Sequence, residues 1–161
     1  MDDVRIVKAG PEDIPRIRSL WEGLNAHHGA RSPHFAERFR RLTFADRAAD
    51  FQAKAASGVF LLFLALAPGQ DEPRGYCAIC ADAAGRGEID SLFVDRTARG
   101  QGLGRRLLEA ALSEFSARGV REIRISVAAG NEEAFGFYAR FGFAPSATIL
   151  TGTVPQNGNR A

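Results

Sequence analysis

The chain has 161 residues, 45% of them hydrophobic and 25% charged, with a formal net charge of +2, which fits one globular domain with one substantial core. Its arginines are spread over several segments rather than gathered into a stripe, which argues against a nucleic-acid partner. No apolar run approaches the ~20 residues of a spanning helix, and the acidic start MDDVRIVKAG lacks a secretory core, so a cytoplasmic protein with no membrane partner is expected.

Residues 4–8 read as a short strand and residues 11–25 as a helix, with Gly10 and Pro11 at the break, Glu12 and Asp13 in the first turn, and Ile14, Ile17, Leu20, Trp21 and Leu24 as the apolar face. Residues 33–57 predict helix in two pieces, divided where Thr43 and Asp46 have the spacing of an N-terminal cap and ended by Gly58. His27, His28 and His34 fall around the first expected helix connection. Adjacent histidines diverge on a helix and nothing nearby completes a ligand set, so no metal is expected. Phe35, Phe39, Leu42 and Phe51 have near-helical spacing and suit core packing better than an acceptor pocket.

Residues 59–67 and 75–82 read as strands joined by the turn-rich APGQDEPR, and residues 85–87 turn into a third strand at 88–94, which makes an antiparallel meander. Cys77 and Cys80 lie in the second strand, where the period of two sends them to opposite faces. That favours packing over zinc or redox chemistry, and so few cysteines suit a reducing compartment. The same count places Glu88, Asp90, Leu92 and Val94 on one face of the third strand and Ile89, Ser91 and Phe93 on the other.

A helix follows with Leu103, Leu107, Leu108, Ala111, Leu112 and Phe115 on its apolar side, closed by Gly119. Next come a strand at 122–127, a helix at 131–140 stopped at Gly142, and strand-like segments near Phe143 and at 147–154. The alternation implies an α/β mixed sheet with helices on both faces. It makes residues 1–154 one domain, with 155–161 a polar, frayed tail.

The chemistry concentrates where the 88–94 strand runs through a glycine-rich turn into the next helix. Gly100, Gly102 and Gly104 let phosphate oxygens approach the backbone, the helix N-terminus offers unpaired N–H groups, and Arg99, Arg105 and Arg106 flank them with full charges. The glycine spacing fails the dinucleotide pattern, which needs glycine where Arg105 stands, and no phosphate-loop pattern occurs anywhere. What remains, Arg99-x-x-Gly102-x-Gly104 after the apolar Leu92, Phe93 and Val94, resembles the signature of the GNAT acetyltransferases. A second block, Asn131, Ala134, Phe137, Tyr138, Gly142 and Phe143, is similar to that family's later motif and stands in the right order.

The resemblance implies a central, mostly antiparallel twisted sheet of six to seven strands with about four helices and a V-shaped splay between the fourth and fifth strands. It implies acetyl coenzyme A (acetyl-CoA) as cosubstrate, its pyrophosphate held by Arg99, Gly100, Gln101, Gly102, Leu103, Gly104 and Arg105. The pantetheine arm would pair with the main chain of Leu92, Phe93 and Val94, and Asn131 would cap its helix and touch the same arm.

An alkylamine with a pKa near ~10 must lose a proton before attack. Glu88, eleven residues before Arg99, matches the strand glutamate that acts as base in histone-type members; Asp90 or a water chain is the alternative. A main-chain N–H near Leu92 or Phe93, freed by a local bulge, would meet the oxyanion. Tyr138 matches the general acid that protonates the departing thiolate.

The expected activity is N-acetylation of a primary amine on a small molecule or peptide by direct attack in a ternary complex, and the resemblance implies that homodimers are common. A non-catalytic acyl-CoA sensor is the alternative, and a thioesterase using Cys77 or Cys80 a weaker one.

Overall fold

The computed structural model describes residues 3–154; the polar tail at 155–161 lies outside the described residues. The chain divides into two units, one running to Asn131 and the other starting at Glu132.

The first unit is built on a five-stranded sheet in chain order: β1 (Arg5–Ala9), β2 (Val59–Leu66), β3 (Gly75–Ala81), β4 (Arg86–Val94) and β5 (Glu122–Ile125). β1 to β4 pair antiparallel, and β5 lies parallel to β4. Between β1 and β2 come a 3-10 segment (Pro11–Ile17), α1 (Arg18–Arg31), α2 (Ala36–Arg41) and α3 (Phe44–Ser57); α4 (Leu103–Ala117) joins β4 to β5. The helix expected from residue 11 therefore starts as 3-10 turns. Pro15 stands inside that segment and has no N–H to give to the fourth residue back. The expected break at Thr43 is present, as a reciprocal capping box with Asp46.

β2 and β3 are apolar on both faces because helices cover both. One face carries Phe60, Leu62, Leu64, Tyr76, Ala78 and Phe93 against Ile14, Ile17, Leu20, Trp21, Phe44 and Phe51. The other receives α4 so closely that a side chain on Gly87 would meet the Phe115 ring at 2.7 Å. Leu103, Leu107, Leu108, Ala111 and Phe115 are the buried stripe of α4, while Leu112, expected with them, is only half-buried.

Two features of β4 depart from the simple alternation. Ala78 opposes Ser91 while Ile79 opposes Ile89, so Asp90 is an extra residue, a β-bulge. After it the faces switch: Ser91 and Phe93 join Glu88 and Asp90 on the α1/α3 side, with Ser91 bonded to Tyr76 and Phe93 against Gly23, and Val94 turns toward Leu107 of α4. The face assignment of residues 91–94 drawn from a strict period of two is thus reversed. A bulge expected near Leu92 or Phe93 sits at Asp90 instead.

The second feature is the splay. β4 pairs with β3 as far as Val94, but with β5 only as far as Ile89. Residues 90–94 therefore present one edge with no strand partner among the described residues.

The second unit holds α5 (Ala134–Ala139), shorter than the expected 131–140, followed by a turn through Gly142 at φ +84°. Phe137, Tyr138, Phe141 and Phe143 form an aromatic cluster with ring centroids 5.1 to 6.1 Å apart. The strands expected near Phe143 and at 147–154 do not form among the described residues, which gives five strands rather than six or seven. Ile149, Leu150 and Val154 are 86%, 91% and 88% exposed; β-branched residues favour a strand only where a partner offers a pleated, half-buried surface.

α3 is anchored to the sheet by Phe51, fully buried with its ring 5.0 Å from that of Phe60. Phe51→Ala should cost about 3–5 kcal/mol, read as a lower urea midpoint at unchanged slope.

Candidate functional site

The turn from β4 to α4 is built as an anion cradle. Asp95 accepts from the Thr97 N–H and starts a 3-10 turn at Arg96–Ala98. Gly100 and Gly102 then take φ of +78° and +73°, the left-handed region that glycine enters without steric cost. Gly102 is the N-cap of α4 and supplies no side-chain cap. The main-chain N–H groups of Leu103, Gly104 and Arg105 therefore head the helix without intrahelical acceptors, at the positive end of its dipole. These residues fit a diphosphate.

The arginines around the cradle divide their roles. Arg99 is fixed from below, its Nε donating to the Val94 carbonyl at 3.1 Å and its guanidinium 5.3 Å from the Phe93 ring centroid. Arg105 is exposed and holds Glu109 one turn on at 2.7 Å, an exchangeable surface pair. Arg106 instead donates to the Val4 carbonyl at 2.7 Å, tying α4 to the chain before β1 rather than flanking the anion site.

Leu92, Phe93 and Val94 form the open edge that leads to this cradle. In the middle of β4, Glu88 and Asp90 differ sharply. The Asp90 side chain is 2% exposed and gripped by the Arg47 guanidinium and the Lys54 ammonium, both from α3. Glu88 is 39% exposed, with Lys54 3.6 Å away and the Cys80 thiol as a long donor at 3.5 Å. Of these two acids, Glu88 is the accessible one. Cys80, Glu88 and Asp90 bring three potential metal ligands within 4.8 Å of one another, but the Lys54 ammonium already supplies the cation there.

Asn131 belongs to the first unit and is not the N-cap of α5, which is Glu133. Its Oδ1 meets His27 Nε2 at 3.1 Å. His27 and His28 lie within α1, not in the connection after it. His28 packs edge-on against Phe39, and burial together with the neighbouring His27 lowers its pKa. Tyr138 stands on α5 in the aromatic cluster of the second unit, half-buried.

The roles of Arg47, Lys54 and Tyr76 escaped the sequence reading, and Ser91 entered it only as a residue on the opposite face of the strand. Arg47, Asp50 and Lys54 do recur at helical spacing on α3, but a charged stripe looks solvated until a buried carboxylate is found opposite it.

A Cβ on Gly102 would meet nothing within 4 Å, so Gly102→Ala acts through backbone strain at φ +73° and should lower folding stability by about 1–2 kcal/mol, read as a lower urea midpoint at unchanged slope. Cys80 is pushed up to about 11 by burial and then by the Glu88 charge, and burial raises Cys77 further. At pH 8 neither thiol should react appreciably with a disulfide reagent in the folded protein, and no acyl-cysteine should accumulate with acetyl-CoA; a stable acyl-cysteine in the mass spectrum would restore the thioesterase reading.

A family model described as "Acetyltransferase (GNAT) family" matches residues 21–143. The L-methionine sulfoximine/L-methionine sulfone acetyltransferase of Pseudomonas paraeruginosa is 31% identical over 157 residues, 94% of this chain and 84% of that protein. Mycothiol acetyltransferase of Beutenbergia cavernae is 44% identical over 72 residues, but this chain spans only 24% of its length. In structure, an N-acetyltransferase of Thermoplasma acidophilum, PaiA, solved in complex with coenzyme A, is similar at TM-score 0.69 and 20% identity over 91% of this chain and 93% of that one. With a family match over most of its length and a relative 31% identical across nearly the whole chain, the protein belongs to the GNAT acetyltransferase family, whose members draw their acyl group from acetyl coenzyme A.

Proposed function

We propose that this protein transfers acetyl from acetyl-CoA to a primary amine of a small molecule or peptide, by direct attack in a ternary complex. The observation that carries the reading is the continuity of the open β4 edge at 90–94 with the uncapped head of α4. An extended amide-bearing arm suits the first by strand addition, and a diphosphate suits the second. Cofactor contacts are assigned to Leu92, Phe93, Val94 and to residues 99–105, with Asn131 beside the pantetheine arm.

In the proposed reaction Glu88 accepts the proton that the amine must shed, directly or through one water. The nitrogen forms a bond to the thioester carbonyl carbon, the carbon–sulfur bond breaks, and Tyr138 gives its phenolic proton to the departing sulfur. Asp90 is withdrawn from the choice of base, because its carboxylate is buried and engaged by two cations. The free Cys77 and Cys80 support a reducing, cytoplasmic setting.

The acceptor is proposed to be a small amino-acid-like amine. Support comes from the relative that matches nearly the whole chain, which acetylates L-methionine sulfoximine and L-methionine sulfone by its name. Release of free thiol from acetyl-CoA should be measured with those two compounds and with panels of polyamines, aminoglycosides and peptides. Turnover on the first group alone supports the acceptor class. Silence on every amine with coenzyme A bound normally would favour a sensor.

Tyr138→Phe should lower kcat about a hundredfold, within the range for a lost proton donor, with coenzyme A affinity unchanged. Full activity in this variant would remove Tyr138 from the mechanism.

A further inference from the structure

Asp90 and Ser91 are consecutive, yet both are fastened to the same face of the sheet. Asp90 meets Arg47 and Lys54 of α3, while Ser91 Oγ accepts a hydrogen bond from the Tyr76 hydroxyl at 3.1 Å. In a regular strand, successive side chains point to opposite faces. Two neighbours anchored on one face are compatible only with the bulge, and with the bulge only at this position. Desolvation holds the buried Tyr76 phenol protonated, so it remains a donor. Arg47 is itself held in place by Asp50 at 2.9 Å and by the Phe51 ring, whose centroid is 4.3 Å from its guanidinium carbon.

A bulge leaves its extra residue outside the ladder and can slip to a neighbouring position when nothing pins it. Here slippage would re-aim the main chain just where β4 parts from β5. A buried carboxylate is a costly way to pin a strand unless its charge is compensated, and α3 brings two cations onto Asp90: Arg47 and Lys54, which also face Asp50 and Glu88.

We propose that Asp90, clamped by Arg47 and Lys54 and paired with the Ser91–Tyr76 bond, is a positioning residue for acyl transfer: it locks the bulge and so aims the main chain of residues 90–92 along the open edge of β4. This inference rests on the acetyltransferase reading above. Asp90 touches neither acceptor nor donor; it acts through the backbone, leaving Glu88 as the exposed acid of the strand. The helix that carries the clamp thereby tunes the chemistry of a strand it covers from behind.

The test compares Asp90→Asn with the wild type on the amine that the acceptor panel identifies. The carboxamide keeps the shape and loses the charge. The expected kcat falls about a hundredfold, the scale of losing one aligned main-chain donor, while the coenzyme A dissociation constant rises by less than about tenfold, because the cradle at 99–105 keeps its contacts although pairing at Leu92 is disturbed. Hydrogen exchange of the amides at 90–92 should accelerate, which a merely remote structural change would not produce selectively.

Unchanged kcat and unchanged exchange in Asp90→Asn would overturn the proposal. If that variant does not fold, Arg47→Lys and Arg47→Met replace it: retained turnover in the lysine variant with loss in the methionine variant supports the clamp, and equal turnover in the two overturns it. A wild type that acetylates no amine defeats the acetyltransferase reading itself, a result distinct from an active wild type whose Asp90→Asn variant is equally active.

Discussion

The organising constraint is the parting of β4 from β5 after Ile89. Every main-chain N–H and C=O needs a partner, and a strand edge without one is a standing invitation to pair with something extended. β3 secures the inner edge of β4 down to Val94, so the strand stays rigid while its outer edge remains available. The same strand then delivers the chain into a turn whose left-handed glycines place the head of α4 beside that edge. The fold thus sets a line of hydrogen-bonding groups next to an anion cradle, which is the shape of a molecule with an amide-bearing arm and a diphosphate.

Charge follows the same division. The cradle uses main-chain dipoles and an exposed Arg105, groups that can receive a dianion without rearranging the core. The buried charges serve a different end: Arg47, Lys54 and Asp90 sit where α3 crosses the bulge, and their mutual compensation leaves Glu88 as the strand's accessible carboxylate. Two acids two residues apart have been given unlike surroundings, one accessible and one buried between two cations, and unlike surroundings drive the proton affinities of like groups apart.

Much of this was legible in the sequence. The meander, the cap at Thr43, the glycine turn after an apolar strand and the stripe of α4 all rest on local patterns that the folded chain keeps. What escaped depended on long-range pairing. The extra residue at Asp90 shows only in the β3 register, and with it went the faces of Ser91, Leu92, Phe93 and Val94. The Arg47–Asp90 contact joins residues 43 positions apart, and no spacing rule links a helix charge to one strand acid. The stretch at 147–154 fails in the other direction: its composition favours a strand, but composition cannot supply a partner.

The account stands most directly on hydrogen exchange of the full chain with and without coenzyme A. Protection should rise together at the amides of residues 90–94 and 100–105, while those of β1 and β2 stay as they were. Binding that leaves both segments unprotected, or protection confined to elements away from β4 and the head of α4, would contradict it.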